Sequence, residues 1–333
     1  MTSRARAMIE PTLRAAVDRL PEPVRRIASY HFAWTDEHGT PQSRAGGKAV
    51  RPALSLLWAE AVGGSAELAV PAAAAVELVH NFSLVHDDIM DGDTLRRHRL
   101  GAWAAFGVPR ALLTGDAMLV LAFDLLTQTS PAVVLTAMRH FSDTLLKLVD
   151  GQSADITLAD RPDAAVTLDE TLVMAAGKTG SLIACACALG ALTGGAPPEH
   201  VQRAHDFGYQ LGLAFQLTDD LLGIWGDPAV TGKPALADLQ ARKKSLPVVA
   251  ALTTGTPQAD HLAELYLSPE PLTSADLETA AELIEQAGGR KWCEAEADRR
   301  LATALESLAA IDPAAGPRDE LHAIALLMSH RNH

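Results

Sequence analysis

Apolar residues recur at intervals of three and four along nearly the whole chain, as in Leu54, Leu57, Trp58 and Ala61, or Leu78, Phe82, Val85 and Ile89. That is the spacing of helices, and no stretch sustains the alternation of a strand. Glycine and proline punctuate it at Gly63-Gly64, Gly92, Pro131, Pro162, Gly194 to Pro198, Gly226 to Pro234, Gly255 to Pro257 and Gly288-Gly289. Several of the segments between these breakers run to roughly 15–25 residues, lengths that suit a helical bundle. No linker and no repeat of solenoid period interrupts the pattern. The sequence predicts one all-α domain over 1–333, with the chemistry-bearing part at about 45–250. An acidic, Ala-rich stretch from Leu262 onward is expected at the periphery.

Composition narrows the function. The 333 residues are 48% hydrophobic, which excludes a disordered chain, and carry a formal net charge of -13. A chain this acidic lacks the basic face that nucleic acid requires, so anionic ligands must be met by local basic clusters or by a metal. Three cysteines, Cys185, Cys187 and Cys293, make no disulfide framework and suit a reducing, cytoplasmic setting. Cys185 and Cys187 are two apart on a helix, so they point to different sides and do not chelate one zinc. The N-terminus shows no apolar signal region, and no apolar run reaches the roughly 18 residues of a membrane span. The richest run, Leu182 to Leu192, reads as a buried core helix.

The segment His80 to Arg99 reads His-Asn-Phe-Ser-Leu-Val-His-Asp-Asp-Ile-Met-Asp-Gly-Asp-Thr-Leu-Arg-Arg-His-Arg. Asp87, Asp88 and Asp91 fall at the end of an apolar helix that Gly92 is expected to stop. Asp87 and Asp91 share a face, about 5–6 Å apart at Cβ. Like charges there repel, and they sit at the negative end of the helix dipole. Oxygen ligands that accept both penalties suit a hard cation such as Mg²⁺, which takes phosphate oxygens as further ligands. A solvated acidic helix end is the alternative for such a motif alone. The arginines Arg96, Arg97 and Arg99 that follow at once favour a metal-diphosphate site.

A second acidic helix end appears at Phe215-Gln-Leu-Thr-Asp-Asp-Leu-Leu-Gly-Ile-Trp, with Asp219 and Asp220. Behind it lie Thr231-Gly-Lys-Pro, then Asp238-Leu239, then Arg242-Lys-Lys-Ser-Leu-Pro. Two acidic ends, each followed by basic residues, point to one diphosphate held through Mg²⁺. Gln152 and Asp155, three apart, are candidates for supporting groups.

With these pieces in order, the sequence resembles the trans-isoprenyl diphosphate synthases, the farnesyl and geranylgeranyl diphosphate synthase family. The resemblance rests on Gly47-Lys48-Ala-Val-Arg51-Pro52, Asp87-Asp88-Ile-Met-Asp91 with Arg96-Arg97, Gly115-Asp116, Gly151-Gln152-Ser-Ala-Asp155, Lys178-Thr179-Gly180, Phe215-Gln216-Leu-Thr-Asp219-Asp220, Gly232-Lys233-Pro234 and Lys243-Lys244-Ser245-Leu246-Pro247. It implies an isoprenoid-synthase helical bundle with a deep central cavity, assembled as a homodimer. It implies that Asp87, Asp91 and Asp219 hold Mg²⁺, with Asp88 and Asp220 in support. Arg96, Lys178, Lys233 and Lys243 would grip the diphosphate of an allylic substrate (dimethylallyl, geranyl or farnesyl). Lys48, Arg51, His80 and Arg97 would bind isopentenyl diphosphate. Thr179 and Gln216 would be the polar groups near the allylic cation. The reaction implied is ionisation, condensation and elimination.

Three departures from the family's pattern stand out. Gly223 replaces a third aspartate in the second motif, and Gly223→Asp is expected to leave Mg²⁺ affinity unchanged or better if the backbone there is helical and accepts a side chain. His98-Arg-Leu100-Gly101 replaces Gly-x-Pro-Thr, and Arg242 replaces a glycine. Product length is expected to be set by Phe82 and Ser83, about 6–7.5 Å deeper along the helix than Asp87. In this resemblance they favour geranylgeranyl diphosphate, with farnesyl diphosphate as the alternative. Ordinary core packing of Phe82 is the bland reading. A weakly active or regulatory subunit of a heteromeric synthase is a further alternative. A class I terpene cyclase fits poorly: it would need an Asn-Ser-Glu motif, and the only asparagines are Asn81 and Asn332.

Overall fold

The computed structural model describes residues 1–42, 47–161, 166–228, 234–268 and 270–329. In chain order the helices are α1 (Thr2–Val17), α2 (Glu22–His31), α3 (Val50–Ala61) and α4 (Ala66–Met90). A hairpin of β1 (Leu95–Arg96) and β2 (Arg99–Leu100) follows, then α5 (Ala102–Phe106), α6 (Val108–Leu126) and α7 (Val134–Asp160). Next come α8 (Leu168–Ala175), a π-helical turn (Ala176–Gly180), α9 (Ser181–Thr193) and α10 (Pro198–Trp225). The chain closes with α11 (Ala237–Gln240), α12 (Leu246–Leu252), α13 (Pro257–Leu267), α14 (Ser274–Gln286), α15 (Gly289–Ala309) and α16 (Ala315–Ser329). The all-α expectation holds; the two-residue strands are the sole sheet among the described residues.

The helices gather into two compact units. Unit 1 comprises Met1–Ser142, Cys185–His205 and Ile311–Leu321. In it α4 packs against α6, α3 and α1. The alanine run Ala72 to Ala75 is fully buried on α4, and Trp58, Phe141 and Leu189 are among its largest buried side chains. Unit 2 comprises Asp143–Ala184, Asp206–Ala310 and His322–His333. In it α12 packs on α15, and α13 on α14. Capping boxes start two of its helices, with Thr167 and Glu170 at α8 and Thr273 and Asp276 at α14.

Two expectations change. The stretch from Leu262 is not peripheral throughout, because Leu262, Tyr266, Ala280 and Ile284 form a buried cluster with Ile224, Leu239 and Val248. Two helical spans, Ala66–Met90 and Leu168–Thr193, are long and apolar enough to cross a membrane by length and composition. The sequence reading overlooked them because it looked for unbroken apolar runs, and Glu77 or Lys178 interrupts each. Their apolar windows are 61% and 78% buried within the fold, so these are core helices. The Leu182 to Leu192 run is buried as expected.

Candidate active site

In unit 1, α4 ends where Gly92 predicts. Asp91 caps the helix, its N–H donating to Asp87 O at 2.8 Å, and Gly92 takes a φ of +69°. The three aspartates of this end differ in setting. Asp88 is 1% exposed, and Oδ1 accepts from Arg96 Nε at 2.9 Å and also from Nη2, while Oδ2 is buried without a hydrogen-bond partner. Burial pushes the Asp88 carboxyl up from its usual range, against the pull of Arg96. Asp87 is half-buried and Asp91 exposed. The helix thus turns one carboxylate inward to fix Arg96, keeps Asp87 half-buried and leaves Asp91 exposed.

Arg96 belongs to the hairpin, whose two turn residues Arg97 and His98 both have positive φ, +53° and +61°. A two-residue hairpin loop demands this, and glycine or asparagine would meet it with less strain. The departure at His98 is therefore accommodated by the backbone. The hairpin is held to α2: Arg99 lies 4.0 Å over the Tyr30 ring, Arg99 Nη2 donates to Thr35 O at 3.1 Å, and Tyr30 Oη donates to Leu100 O at 2.8 Å. A cleft of about 460 Å³, open to solvent, lies here, lined by Tyr30, His31, Arg96, Arg97 and Arg99 among others.

Lys48 is exposed just before α3, and Arg51 is half-buried in its first turn. Their neighbourhood holds groups the sequence reading did not single out. Glu77 is buried; burial pushes its carboxyl up, against Arg51, Asn81, Arg97 and Arg6. Asn81 Nδ2 donates to Glu77 Oε1 at 3.2 Å, and Asn81 Oδ1 accepts from His31 Nε2 at 3.1 Å. Burial drives His31 down to about 3, helped by Arg97 and Arg96, so it is neutral at physiological pH. The same causes, burial first and then Arg51 and Arg97, lower His80. The only signal for Glu77 in the sequence was an acid inside an apolar helix run. Phe82 is buried and meets His86 edge-on at 4.9 Å; Ser83 Oγ donates to His80 O at 2.9 Å. Asp116 is largely exposed, 3.9 Å from His86 Nε2.

Unit 2 gathers residues from distant stretches around one small pocket that is partly open to solvent. Lys178, Thr179, Gln216, Asp220, Lys243 and Asp155 line it, with Met174, Ala175 and Ser245. Lys178 and Thr179 ride on the π-helical turn, a departure from α geometry that recurs at functional sites. Glycines allow α7 to approach that turn. A Cβ on Gly151 would stand 2.6 Å from the Gly177 carbonyl carbon, and one on Gly177 3.0 Å from Gly151 Cα. The close approach brings Lys178 Nζ to Asp155 Oδ2 at 2.6 Å.

A chain of hydrogen bonds crosses the cavity wall. Thr179 Oγ1 donates to Gln216 Oε1 at 2.6 Å, and Gln216 Nε2 donates to Asp220 Oδ1 at 2.8 Å. Asp220 is buried, and its Oδ2 accepts from the Leu246 N–H at 2.9 Å. Lys243 Nζ lies 3.6 Å from Asp220 and 3.7 Å from Asp238. Asp220 above all, with Asp238, Asp219 and Asp155, raises the Lys243 pKa. Asp219, beside Asp220 on α10, is exposed. Gln152 is buried with Nε2 unpartnered and is not among the cavity-lining residues. Lys233 lies outside the described residues.

The other two departures now have physical readings. Arg242 has φ +50°, and its guanidinium turns to the end of α13, where Nη1 donates to Tyr266 O at 2.9 Å and Nη2 to Glu270 O at 2.5 Å. It caps a helix. Lys244 does the same at α7, donating to Leu158 O at 2.9 Å and Ala159 O at 3.1 Å. Gly223 is helical, yet the place of its side chain is taken: a Cβ there would stand 2.5 Å from Asp238 Cγ. The helical backbone meets the condition set for an aspartate at 223, which would have to push the Asp238 carboxylate aside to fit.

Residues 33–284 match the family model described as polyprenyl synthetase. The chain belongs to the polyprenyl synthetase family. As a member it is a prenyltransferase, and the match runs through both units. The (2E,6E)-farnesyl diphosphate synthase of Mycobacterium tuberculosis is 45% identical over 324 residues, 96% of this chain and 90% of that protein. The geranylgeranyl diphosphate synthase of the same organism is 43% identical over 332 residues, 99% of this chain and 93% of that protein. Among solved structures, a polyprenyl synthetase from Streptomyces coelicolor A3(2) superposes with a TM-score of 0.93 at 45% identity, covering 98% of both chains. The trans-isoprenyl resemblance read from the eight motifs is thus borne out.

Proposed function

We propose that this chain is a short-chain trans-prenyltransferase that condenses isopentenyl diphosphate with an allylic diphosphate, with geranylgeranyl diphosphate as its main product. The observation that carries this reading is the unit 2 cavity, where Lys178, Thr179, Gln216, Asp220 and Lys243 line one space although 65 residues separate the first from the last. Such a collection suits a ligand with an anionic head and a developing positive charge. Relatives named farnesyl and geranylgeranyl diphosphate synthases support it. The whole chain, both units included, is assigned to one polyprenyl synthetase domain.

The donor set fits Mg²⁺. Each acidic helix end combines a buried, hydrogen-bonded aspartate (Asp88, Asp220) with more accessible ones (half-buried Asp87 and exposed Asp91, exposed Asp219). No group of three or more ligating side chains is assembled among the described residues. An ion that keeps its waters and takes one or two carboxylates plus phosphate oxygens needs none. The Ser245 hydroxyl, 1% exposed and without a partner, lines the same cavity and is placed for a polar ligand. Asp87, Asp91 and Asp219 are assigned as ligands, with Asp88 and Asp220 holding the surrounding basic residues. When bound, the metal neutralises charge that develops on the departing diphosphate.

The chain's own groups do the rest. Lys178, Lys243, Lys233 and Arg96 are assigned to the allylic diphosphate. Preorganised cations of this kind stabilise the leaving group as its bond breaks. Thr179 and Gln216 are locked to each other and to Asp220, so the amide oxygen and the hydroxyl face the cavity in fixed orientation. They steady the allylic cation while the alkene of isopentenyl diphosphate attacks it. Lys48, Arg51, His80 and Arg97 are assigned to the second diphosphate. Exclusion of water from the reacting carbons would keep the cation from being quenched to an alcohol, and the released diphosphate takes the proton.

Phe82 and Ser83 are assigned to the floor that limits product length. Farnesyl diphosphate as product is the second reading, favoured by the 45% identical farnesyl synthase. A homodimer is assigned because α6 exposes Leu113 at 61% and Val120 at 68%, seven residues apart on one face. The setting is cytoplasmic. The test is to incubate the purified protein with Mg²⁺, labelled isopentenyl diphosphate and dimethylallyl, geranyl or farnesyl diphosphate in turn, and to measure product chain length. A C20 product from farnesyl diphosphate supports the reading; no extension of farnesyl diphosphate makes it a farnesyl synthase, and no extension of any of the three overturns it.

A further inference from the structure

Gly223 follows Asp219 by four residues on α10 and so shares its face. Its backbone is helical and its φ is not positive, so glycine answers no conformational demand there. What it provides is room. A Cβ at 223 would lie 2.5 Å from Asp238 Cγ and 2.9 Å from Asp238 Oδ1, so any side chain there would push the Asp238 carboxylate aside. Asp238 is delivered by a different element, the short helix α11, which Leu236 starts in a left-handed conformation with φ +62°. Its side chain is 15% exposed, and Lys243 stands 3.7 Å from it and 3.6 Å from Asp220. A carboxylate from α11 thus lies over the bare patch one turn beyond Asp219. The unpartnered, buried hydroxyl of Ser245 lines the cavity that Lys243 and Asp220 share, an independent sign that a polar ligand enters there.

We propose that Asp238 is the carboxylate that completes the metal-diphosphate site of unit 2, acting with Asp219 directly or through a metal-bound water, and that Gly223 is bare so that Asp238 can reach it. The proposal rests on the reading of Asp219 as a metal-binding residue. A carboxylate carried by residue 223 would take the place that Asp238 now holds over this turn of α10. Lys243, shared by Asp220 and Asp238, holds the second carboxylate in place before the metal arrives.

The test is calorimetric binding of inorganic pyrophosphate as a function of Mg²⁺ concentration, with kcat/KM measured in parallel. The proteins are wild type, Asp238→Asn, Asp238→Ala, Gly223→Asp and the double variant Gly223→Asp/Asp238→Ala. Asp238→Asn keeps the side chain's volume and should raise the Mg²⁺ needed for half-maximal binding by about 10-fold or more. Gly223→Asp alone should also weaken binding, because it displaces Asp238. The double variant, with the carboxylate moved to α10, should recover most of what Asp238→Ala loses. A wild-type Mg²⁺ dependence in Asp238→Asn overturns the proposal. So does a double variant no better than Asp238→Ala, or a loss in Asp238→Asn that is equal at every Mg²⁺ concentration, as a mere partner of Lys243 would give. Asp219→Ala separates the two levels. If it leaves Mg²⁺-dependent binding intact, the reading of the site itself falls; if it abolishes binding while Asp238→Asn does not, only the role of Asp238 falls.

Discussion

Replacing Arg96 by Met should destabilise unit 1 far more than a surface substitution would. Arg96 is the cation on Asp88, whose side chain is 1% exposed and whose second oxygen has no hydrogen-bond partner. Removing one member of such a pair strands a buried charge, at a cost of about 3–5 kcal/mol. Arg96 itself is 29% exposed, so water reaches the pair from its side and the lower end, about 3 kcal/mol, applies. That is roughly a 150-fold change in the folding equilibrium. Asp88 already has its carboxyl pushed up by burial, so without Arg96 it should take up a proton more readily, and the penalty should shrink as the pH falls toward the carboxylate range. Asp88→Asn together with Arg96→Met removes both charges and should recover most of the loss. The assay is urea unfolding followed by tryptophan fluorescence, with fully buried Trp58 as a reporter in unit 1, run as a double-mutant cycle at pH 7 and pH 5. Losses under about 1 kcal/mol in the single variant, or strictly additive effects in the double, would show that the pair does not anchor the hairpin.

Three more outcomes follow from the same geometry. Lys48→Ala should chiefly raise the KM for isopentenyl diphosphate and Lys178→Ala should chiefly impair the allylic substrate, each by about 1.5–3 kcal/mol as charge-assisted contacts; steady-state kinetics with each substrate varied in turn would expose reversed assignments. Phe82→Ala should lengthen products while leaving the first condensation intact, and unchanged chain length in the folded variant would remove Phe82 from the floor. Acid should destabilise the fold through His31: its folded pKa is about 3, so from about pH 6.5 down to about 3 the unfolded chain binds a proton that the folded chain refuses. At pH 5 this one residue lowers stability by about 2 kcal/mol relative to its neutral limit. Glu77, whose carboxyl burial pushes up, works in the opposite sense, so the comparison to make is the pH slope of urea midpoints in wild type and His31→Gln; equal slopes would refute the assignment.

Much of this was legible in the amino-acid sequence. Spacing of apolar residues announced helices, and Gly92 announced the end of α4, because both are local properties of the chain. The two acidic ends were legible too, since aspartates at an apolar helix terminus carry a cost that shows in the sequence itself. What could not be read was where a side chain from another element would go. Arg242 stood out only as the replacement of a glycine, but a left-handed backbone turns it onto the carbonyls at the end of α13. Gly223 looked like a missing ligand, but α11 brings Asp238 into that space from fifteen residues away. Glu77, Asn81 and His31 form a buried polar set whose Asn81–His31 link spans 50 residues of sequence, beyond the reach of any motif.

The central claim is that catalysis depends on Mg²⁺ acting through Asp87, Asp91 and Asp219. Its most direct test is the initial rate of isopentenyl diphosphate condensation with farnesyl or geranyl diphosphate as free Mg²⁺ is titrated from excess EDTA upward, in wild type, Asp87→Ala and Asp219→Ala. The account predicts no turnover in EDTA, a saturable rise with Mg²⁺ in wild type, and rates lower by orders of magnitude in both variants at every Mg²⁺ concentration. Undiminished condensation in EDTA, or wild-type rates in Asp219→Ala, would contradict it.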